Sequence, residues 1–360
     1  DLHYPLRRQR QMCIRDSQRE RTMTNNVYGI DLGTCNMKIY CKSSNKILNE
    51  KNTIALKNKD EIYAYGNSAY AMYEKAPESI HVTFPVTTGV IADFNNLQSM
   101  IQLFLETHVK GSLKGAEFIV AVPTSITEVE KKAFFDMFYK SKMKPKSVLL
   151  CEKPIADAVG LGLDVNEPTG IMVVDIGADT TEISVISLGG LVLSDLLHFG
   201  GNKIDESIIT YVKRNYNLVI GQKTAQSMKE RLGSGIPGNE DTMIVVGRDV
   251  VSGLPIEMEM SGGVVYEAIK DNLESICNSI KMILEKTPPE LAKDIIHSGI
   301  YITGGSSQIH DLDKLFADIT GIDINTCEEP EECVVRGLVK IVSDSKYKHL
   351  AFSMKSKILI

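Results

Sequence analysis

Val173-Val174-Asp175-Ile176-Gly177-Ala178-Asp179-Thr180-Thr181-Glu182-Ile183-Ser184-Val185 is the stretch whose pattern decides the fold. An apolar run enters a short turn rich in Gly, Asp and Thr, and an alternating run leaves it, the signature of a strand, a tight hairpin and a second strand. Such a turn can aim backbone N–H groups and hydroxyls at a phosphate, while an acidic residue at the strand end holds a magnesium ion through water. The chain repeats the device in Tyr28-Gly29-Ile30-Asp31-Leu32-Gly33-Thr34-Cys35-Asn36-Met37-Lys38-Ile39-Tyr40. Both hairpins have the form apolar-Asp-x-Gly-x-x-(Thr or Asn), with Asp31 and Asp175 144 positions apart. That spacing predicts two similar α/β half-domains facing one ligand, a nucleotide held between them.

The 360 residues are 43% hydrophobic and 24% charged, without an apolar run long enough to span a bilayer, which predicts a soluble protein with core enough for two domains. A net charge of −6, with Lys and Arg scattered among acids, offers no electrostatic footprint for nucleic acid. The arginines of residues 1–22 have another explanation. Gln11-Met12-Cys13-Ile14-Arg15-Asp16-Ser17 is what a transposon-library sequencing adaptor gives when translated, so residues 1–22 are expected to be an assembly artefact and Met23 the native start. The remaining 338 residues carry 34 basic and 43 acidic side chains, a net charge of −9. Their six cysteines include no CxxC pair, which argues for reduced thiols rather than zinc or redox chemistry.

Between the hairpins the pattern predicts strands near 53–56 and 62–66, a helix over 68–75, and a loop bracketed by Pro77 and Pro85. A helix over 95–108 follows, then a buried strand at 118–123. Thr124, Ser125 or Thr127 can cap the next helix, which carries Val129, Ala133, Phe134, Met137 and Phe138 and is expected to pack most of that face inward. A strand at 148–150 leads through Cys151-Glu152-Lys153-Pro154 into a helix over 155–163, and residues 166–170 read as a domain boundary. Beyond the second hairpin, Gly200-Gly201-Asn202-Lys203 precedes a helix over 204–215, placing backbone donors where a phosphate could sit. A helix over 224–232, a strand pair at 242–247 and 255–260, and long helices over 264–285 and after Pro289 come next. The strand 300–302 then runs into Thr303-Gly304-Gly305-Ser306-Ser307, a third ligand-facing loop, before a helix over 309–319.

With GIDLGT at 29–34, VVDIG..TTE at 173–182 and the TGG loop at 303–305, the sequence resembles the actin-like ATPase superfamily, and within it the bacterial rod-shape-determining MreB family. The likeness covers essentially all of 27–345, including GVIADF at 89–94, EKTPPELAKDII at 285–296, GIYITGG at 299–305 and CEEPEECVVRG at 327–337. It implies two duplicated α/β domains, each with a smaller subdomain, around a cleft for ATP and magnesium. The corresponding division is 23–54, 97–167 and 335–347 (IA), 55–96 (IB), 168–203 and 268–334 (IIA) and 204–267 (IIB), with a basic and apolar tail at 348–360. It further implies cytoplasmic filaments of the protein itself, lying on the inner membrane face with other cell-shape proteins as possible partners. By the same resemblance, Asp31, Gly33, Thr34, Cys35 and Asn36 would form the first phosphate loop. Asp175, Gly177, Ala178, Asp179, Thr180 and Thr181 would form the second. Asp31 and Asp175 would hold the ion through water, Gly201 would border the phosphates, Gly304, Gly305 and Ser306 the adenosine, and Lys229 and Glu230 the ribose.

The departures from the family pattern fall on the chemistry. The glutamate expected to orient the attacking water is Lys153, with Glu152 one place earlier; these two and Thr180 are the catalytic candidates. Three glycines of the second loop are Gly177-Ala178-Asp179, and the glutamate near the ribose is Arg231, beside Glu230. A carboxylate about 5 Å from a phosphate costs roughly 3 kcal/mol at an effective dielectric near 20, so Asp179 is expected to weaken binding unless Lys153 faces it across the cleft as a compensating partner. ATP binding with slow hydrolysis is the resulting expectation, against a second reading in which Glu152 swings in and hydrolysis is ordinary. Leu113 in the loop 110–115 and the tail 346–360 are the candidate membrane contacts. A kinase, a chaperone-type ATPase, or a nucleotide-regulated binding module that does not polymerise are the alternatives. A chaperone would need a substrate domain after residue 341, and a sugar kinase a catalytic aspartate that the sequence does not reveal.

Overall fold

The computed structural model describes residues 26–59, 61–109 and 112–357, with side chains as far as residue 355. The segment ascribed to an adaptor, residues 1–22, lies outside them. Two five-stranded sheets share one plan. In the first, Val27–Leu32, Asn36–Cys41 and Lys46–Lys51 form an antiparallel meander, and Val27–Leu32 continues through parallel pairings to Glu117–Val122 and then Ser147–Glu152. In the second, Ile171–Ile176, Thr181–Ser187 and Gly190–Leu197 form the meander, and Ile171–Ile176 continues in parallel to Ile300–Thr303 and Ile324–Asn325. Each half also carries a small three-stranded sheet: Ile54–Lys57 with Glu61–Tyr65 and Ile80–Thr83, and Leu218–Val219 with Thr242–Asp249 and Pro255–Ser261.

The central strands are apolar on both faces because helices cover them, and the hairpin aspartates end the buried runs. A separate apolar cluster joins the halves. It takes Ile119 and Cys151 from the first sheet, Ile171 and Val173 from the second, and Ile155, Val159, Val334 and Leu338 from the helices Lys153–Gly160 and Cys333–Ser343 between them. These helices touch backbone to backbone at Gly160 and Gly337.

Several expectations are met and several corrected. Of the three candidate caps, Thr127 serves: its hydroxyl accepts from Glu130 N–H while Glu130 accepts from Thr127 N–H, a reciprocal arrangement typically worth about 1 kcal/mol. Phe134, Met137 and Phe138 turn inward, and Val129 is 78% exposed. The bracketed loop contains the strand Ile80–Thr83, whose pairing with Ile54–Lys57 depends on a distant partner rather than on local pattern. Leu113 is not a solvent-facing tip; it packs in the first core beside the Phe118 strand. The tail is likewise no free appendage as far as it is described. Leu150 and Phe352 exchange backbone hydrogen bonds of 2.8 and 2.9 Å, and Leu350 and Met354 are buried. Residues 358–360 lie outside the described structure.

Candidate functional site

The two hairpins, the TGG loop and the Gly200 loop enclose a cavity of about 600 Å³ between the halves. Gly33 and Gly177 play equivalent parts: a Cβ at either would lie 2.8 or 3.0 Å from the carbonyl oxygen three residues on, that of Asn36 or Thr180, so each turn closes only on glycine. Gly304, at φ +83, leaves no room for a side chain against Asp175, where a Cβ would fall 2.2 Å from Oδ1. Of the expected nucleotide contacts, Asp31, Gly33, Thr34, Cys35, Asn36, Asp175, Gly177, Ala178, Thr180, Gly201, Lys229, Glu230, Gly304, Gly305 and Ser306 all line the cavity. The Asn36 side-chain oxygen is buried there without a hydrogen-bond partner among the described residues.

Four residues depart from their expected places. Thr181 is buried and donates its hydroxyl to Phe199 O at 2.8 Å, fixing the strand rather than facing a phosphate. Glu152 lies off the cavity wall, whereas Lys153 is on it. Asp179 also lies off the wall: its carboxylate accepts from Thr88 N–H at 3.0 Å and Asn202 Nδ2 at 2.7 Å, tying the second hairpin to the first half. Its carboxylate is engaged by these donors, and Lys153 pairs with Asp175 instead. Gly201 borders the cavity, but its N–H and that of Asn202 donate to Gly177 O and Ala178 O at 3.0 and 2.7 Å, so the loop is a wall and not a cradle of free donors.

Lys153 instead meets Asp175, Nζ to Oδ2 at 2.6 Å. Its side chain is 18% exposed. Burial pulls its pKa down, and the charges of Asp175, Asp31 and Glu182 more than reverse this, so it stays a firmly held ammonium. Asp157, one turn into the helix that Lys153 opens, takes a hydrogen bond from Thr303 Oγ1; burial and then the neighbouring Asp175 push its carboxyl well up. At the ribose end, Lys229 is committed to Asp205 at 2.9 Å and to Gly201 O at 2.9 Å. Glu230 faces the cavity and accepts from Gln226 Nε2 at 2.8 Å, while Arg231 is exposed elsewhere.

Glu182 sits against Lys153 and accepts from Thr124 N–H at 2.6 Å. Burial pushes its carboxyl up to about 7, against the opposing pull of Lys153 and of the Thr124 bond. A carboxyl that holds its proton more tightly folded than unfolded favours the fold most below about pH 4.5 and loses that contribution as pH rises to about 7. Glu182→Gln should abolish this dependence. The variant is expected to gain on the parent chain by on the order of 3 kcal/mol between about pH 4.5 and 8, read from urea midpoints. A difference that does not change with pH would contradict the assignment.

Sequence reasoning missed two cavity lysines. Lys38, 7% exposed and opposite Asp31 in the strand register, has no ion pair or hydrogen bond among the described residues. Lys51 reaches the wall beside Cys35 Sγ at 3.1 Å, over the Tyr70 ring. A signal for Lys38 was present: a lysine between Met37 and Ile39 in a strand that must be buried. Lysines of this kind supply positive charge for phosphate oxygens. The magnesium expected at Asp31 and Asp175 fits these residues poorly, because the Lys153 ammonium already contacts Asp175 Oδ2 and a hydrated ion there would meet a cation.

Duplicated α/β halves, matched hairpins and a lined cleft between them define an actin-like protein. The family is more specific still. The MreB/Mbl protein family model matches residues 25–349, and the chain belongs to that family. Cell shape-determining protein Mbl of Bacillus subtilis (strain 168) is 39% identical over 312 residues, 86% of this chain and 93% of the relative. Cell shape-determining protein MreB of Escherichia coli (strain K12) is 38% identical over 325 residues, 88% of this chain and 93% of the relative. Among solved structures, MreB5 of Spiroplasma citri bound to AMPPNP superposes with a TM-score of 0.86 at 33% identity, covering 91% of this chain and 98% of that one. A chain of the MamK double helical filament, at 20% identity and a TM-score of 0.75, shares the fold over 88% of this chain and 98% of that one.

Proposed function

We propose that this chain is a nucleotide-dependent cytoskeletal protein that binds ATP in the cleft, assembles with copies of itself into filaments that govern cell shape, and hydrolyses ATP slowly. The observation that carries the slow step is Lys153. It stands where the family pattern has a glutamate to orient water, and an ammonium anchored on Asp175 cannot accept the proton that a water must lose. Removal of such a group typically lowers a rate by roughly 10²–10⁴. Nucleotide binding is supported by the cavity, its glycine turns and Lys38, which has no partner among the described residues, and by the MreB5 structures with AMPPNP and ADP.

Self-assembly is supported by family membership and by one face of the second small sheet. Ile244 and Val246 are 66% and 57% exposed and stand opposite Glu259 and Glu257, while Val251 and Leu254 at the hairpin tip are also exposed. An apolar row of this kind suits a second copy of the chain. The membrane contact implied by the resemblance finds no carrier in Leu113 or in residues 350–354, so the proposal is confined to self-assembly. Sedimentation and electron microscopy with ATP, ADP and no nucleotide test it. Filaments that pellet with ATP are expected; a chain that stays monomeric in all three conditions overturns it.

A further inference from the structure

The mismatch between the magnesium site and its residues has a consequence for ligand binding. In an actin-like cleft the two hairpin aspartates would face the phosphates through a divalent ion. Here Asp31 and Asp175 end their strands as expected, 6% and 5% exposed, and both line the cavity. Carboxylates so buried need a cation. The one that Asp175 contacts is part of the chain: Lys153 Nζ, at 2.6 Å.

The placement of Lys153 is set by the fold. Strand Ser147–Glu152 delivers it to the cavity wall, and Pro154 fixes the backbone at the first turn of the following helix. The charged groups that act on it are acidic: Asp175 in contact, with Asp31 and Glu182 acting through their charges. A hydrated divalent ion brought against the same Asp175 oxygen would meet this ammonium in a partly dehydrated cleft, where like charges repel strongly. Displacing the lysine would strand a cation on the wall. Lys38 and Lys51 bring two further positive charges to the cavity from the same half, and Lys38 has no acidic partner among the described residues. These two lysines can offset part of a polyphosphate's charge on a wall that also carries Asp205, Glu230 and Glu331.

We propose that Lys153 is the resident cation of this site, taking the place of the divalent ion against Asp31 and Asp175, so that the chain binds nucleoside triphosphate with little dependence on divalent cations. The inference rests on the nucleotide-binding reading above and adds the form of nucleotide that is recognised: the free polyphosphate as well as its magnesium complex. Assembly would then respond to nucleotide concentration and not to the supply of magnesium.

The test is titration calorimetry of the full chain with AMPPNP, in excess magnesium and in excess chelator. The parent chain is expected to bind with affinities that differ by less than about threefold, under 1 kcal/mol. Lys153→Glu, and separately Lys153→Met, free the Asp175 oxygen for an ion, so each should bind at least about tenfold more weakly in chelator than in magnesium. Circular dichroism verifies the fold of both variants, and the parent chain alone decides the question if neither folds. A parent affinity that falls tenfold or more in chelator overturns the proposal while leaving the nucleotide site intact. An absence of binding in both arms overturns it together with the nucleotide reading.

Discussion

Replacing Lys153 by glutamate is expected to raise magnesium-supported phosphate release by about two orders of magnitude or more. The substitution exchanges an ammonium that can only donate for a carboxylate that can accept a proton from water, at a position already on the cavity wall. It also removes the charge that now neutralises Asp175, adding a carboxylate to a cluster that includes Asp31, Asp157, Asp175 and Glu182. The variant should therefore be more stabilised by magnesium than the parent chain. The sequence alone would pair Lys153→Glu with Asp179→Gly. The structure makes the second change secondary, because the Asp179 carboxylate is engaged by Thr88 N–H and Asn202 Nδ2 and not by Lys153; adding it should alter the rate by less than about threefold, the range of an ordinary contact away from the reacting atoms. Equal phosphate release by the parent and Lys153→Glu would remove Lys153 as the cause of slow hydrolysis.

Gly337→Ala should be the most damaging small substitution in the molecule. A Cβ there would fall 1.7 Å from Ala156 O and 2.7 Å from Ala156 C, and the reciprocal position at Gly160 would place one 1.9 Å from Cys333 O. These are backbone atoms, so no rotamer change relieves the overlap. The helices Lys153–Gly160 and Cys333–Ser343 would have to part, opening the cluster of Ile155, Val159, Val334 and Leu338 that joins the halves beneath the cleft. A loss of about 4 kcal/mol or more is expected, a large share of the 5–15 kcal/mol that holds a typical domain. Gly263→Ala is the control. It lies near the start of the helix Gly262–Lys286, where an added Cβ meets only Ser261 Oγ at 3.7 Å, and alanine should be neutral or favourable by up to about 1 kcal/mol. Similar denaturation midpoints for Gly337→Ala and the parent chain would refute the backbone contact.

The paired hairpins were legible because each combines a local period with a turn that needs glycine, and their repetition at Asp31 and Asp175 announces the duplication. The edge strands Lys46–Lys51 and Gly190–Leu197 carry weaker patterns: half-exposed edges mix polar and apolar residues, and only the neighbouring strand makes them strands. Within the site, residue type predicted the wall but not the direction of each side chain. Thr180 and Thr181 are adjacent, and the pleat sends one to the cavity and the other to Phe199. The partner of Lys153 was misread for a similar reason. Asp175 and Asp179 sit four residues apart on one hairpin, and the turn directs the first inward and the second toward Thr88. Leu113 looked like an exposed tip because its neighbours in sequence are polar, whereas its packing against the first core depends on strands distant in the chain.

The most direct test of the account is the identity of the nucleotide recovered from the parent chain after it has been loaded with ATP, allowed to assemble, pelleted and washed. A cleft in which Lys153, held by Asp175, stands where the family pattern has the water-orienting glutamate should return mainly ATP. Recovery of mainly ADP after the same interval would contradict it.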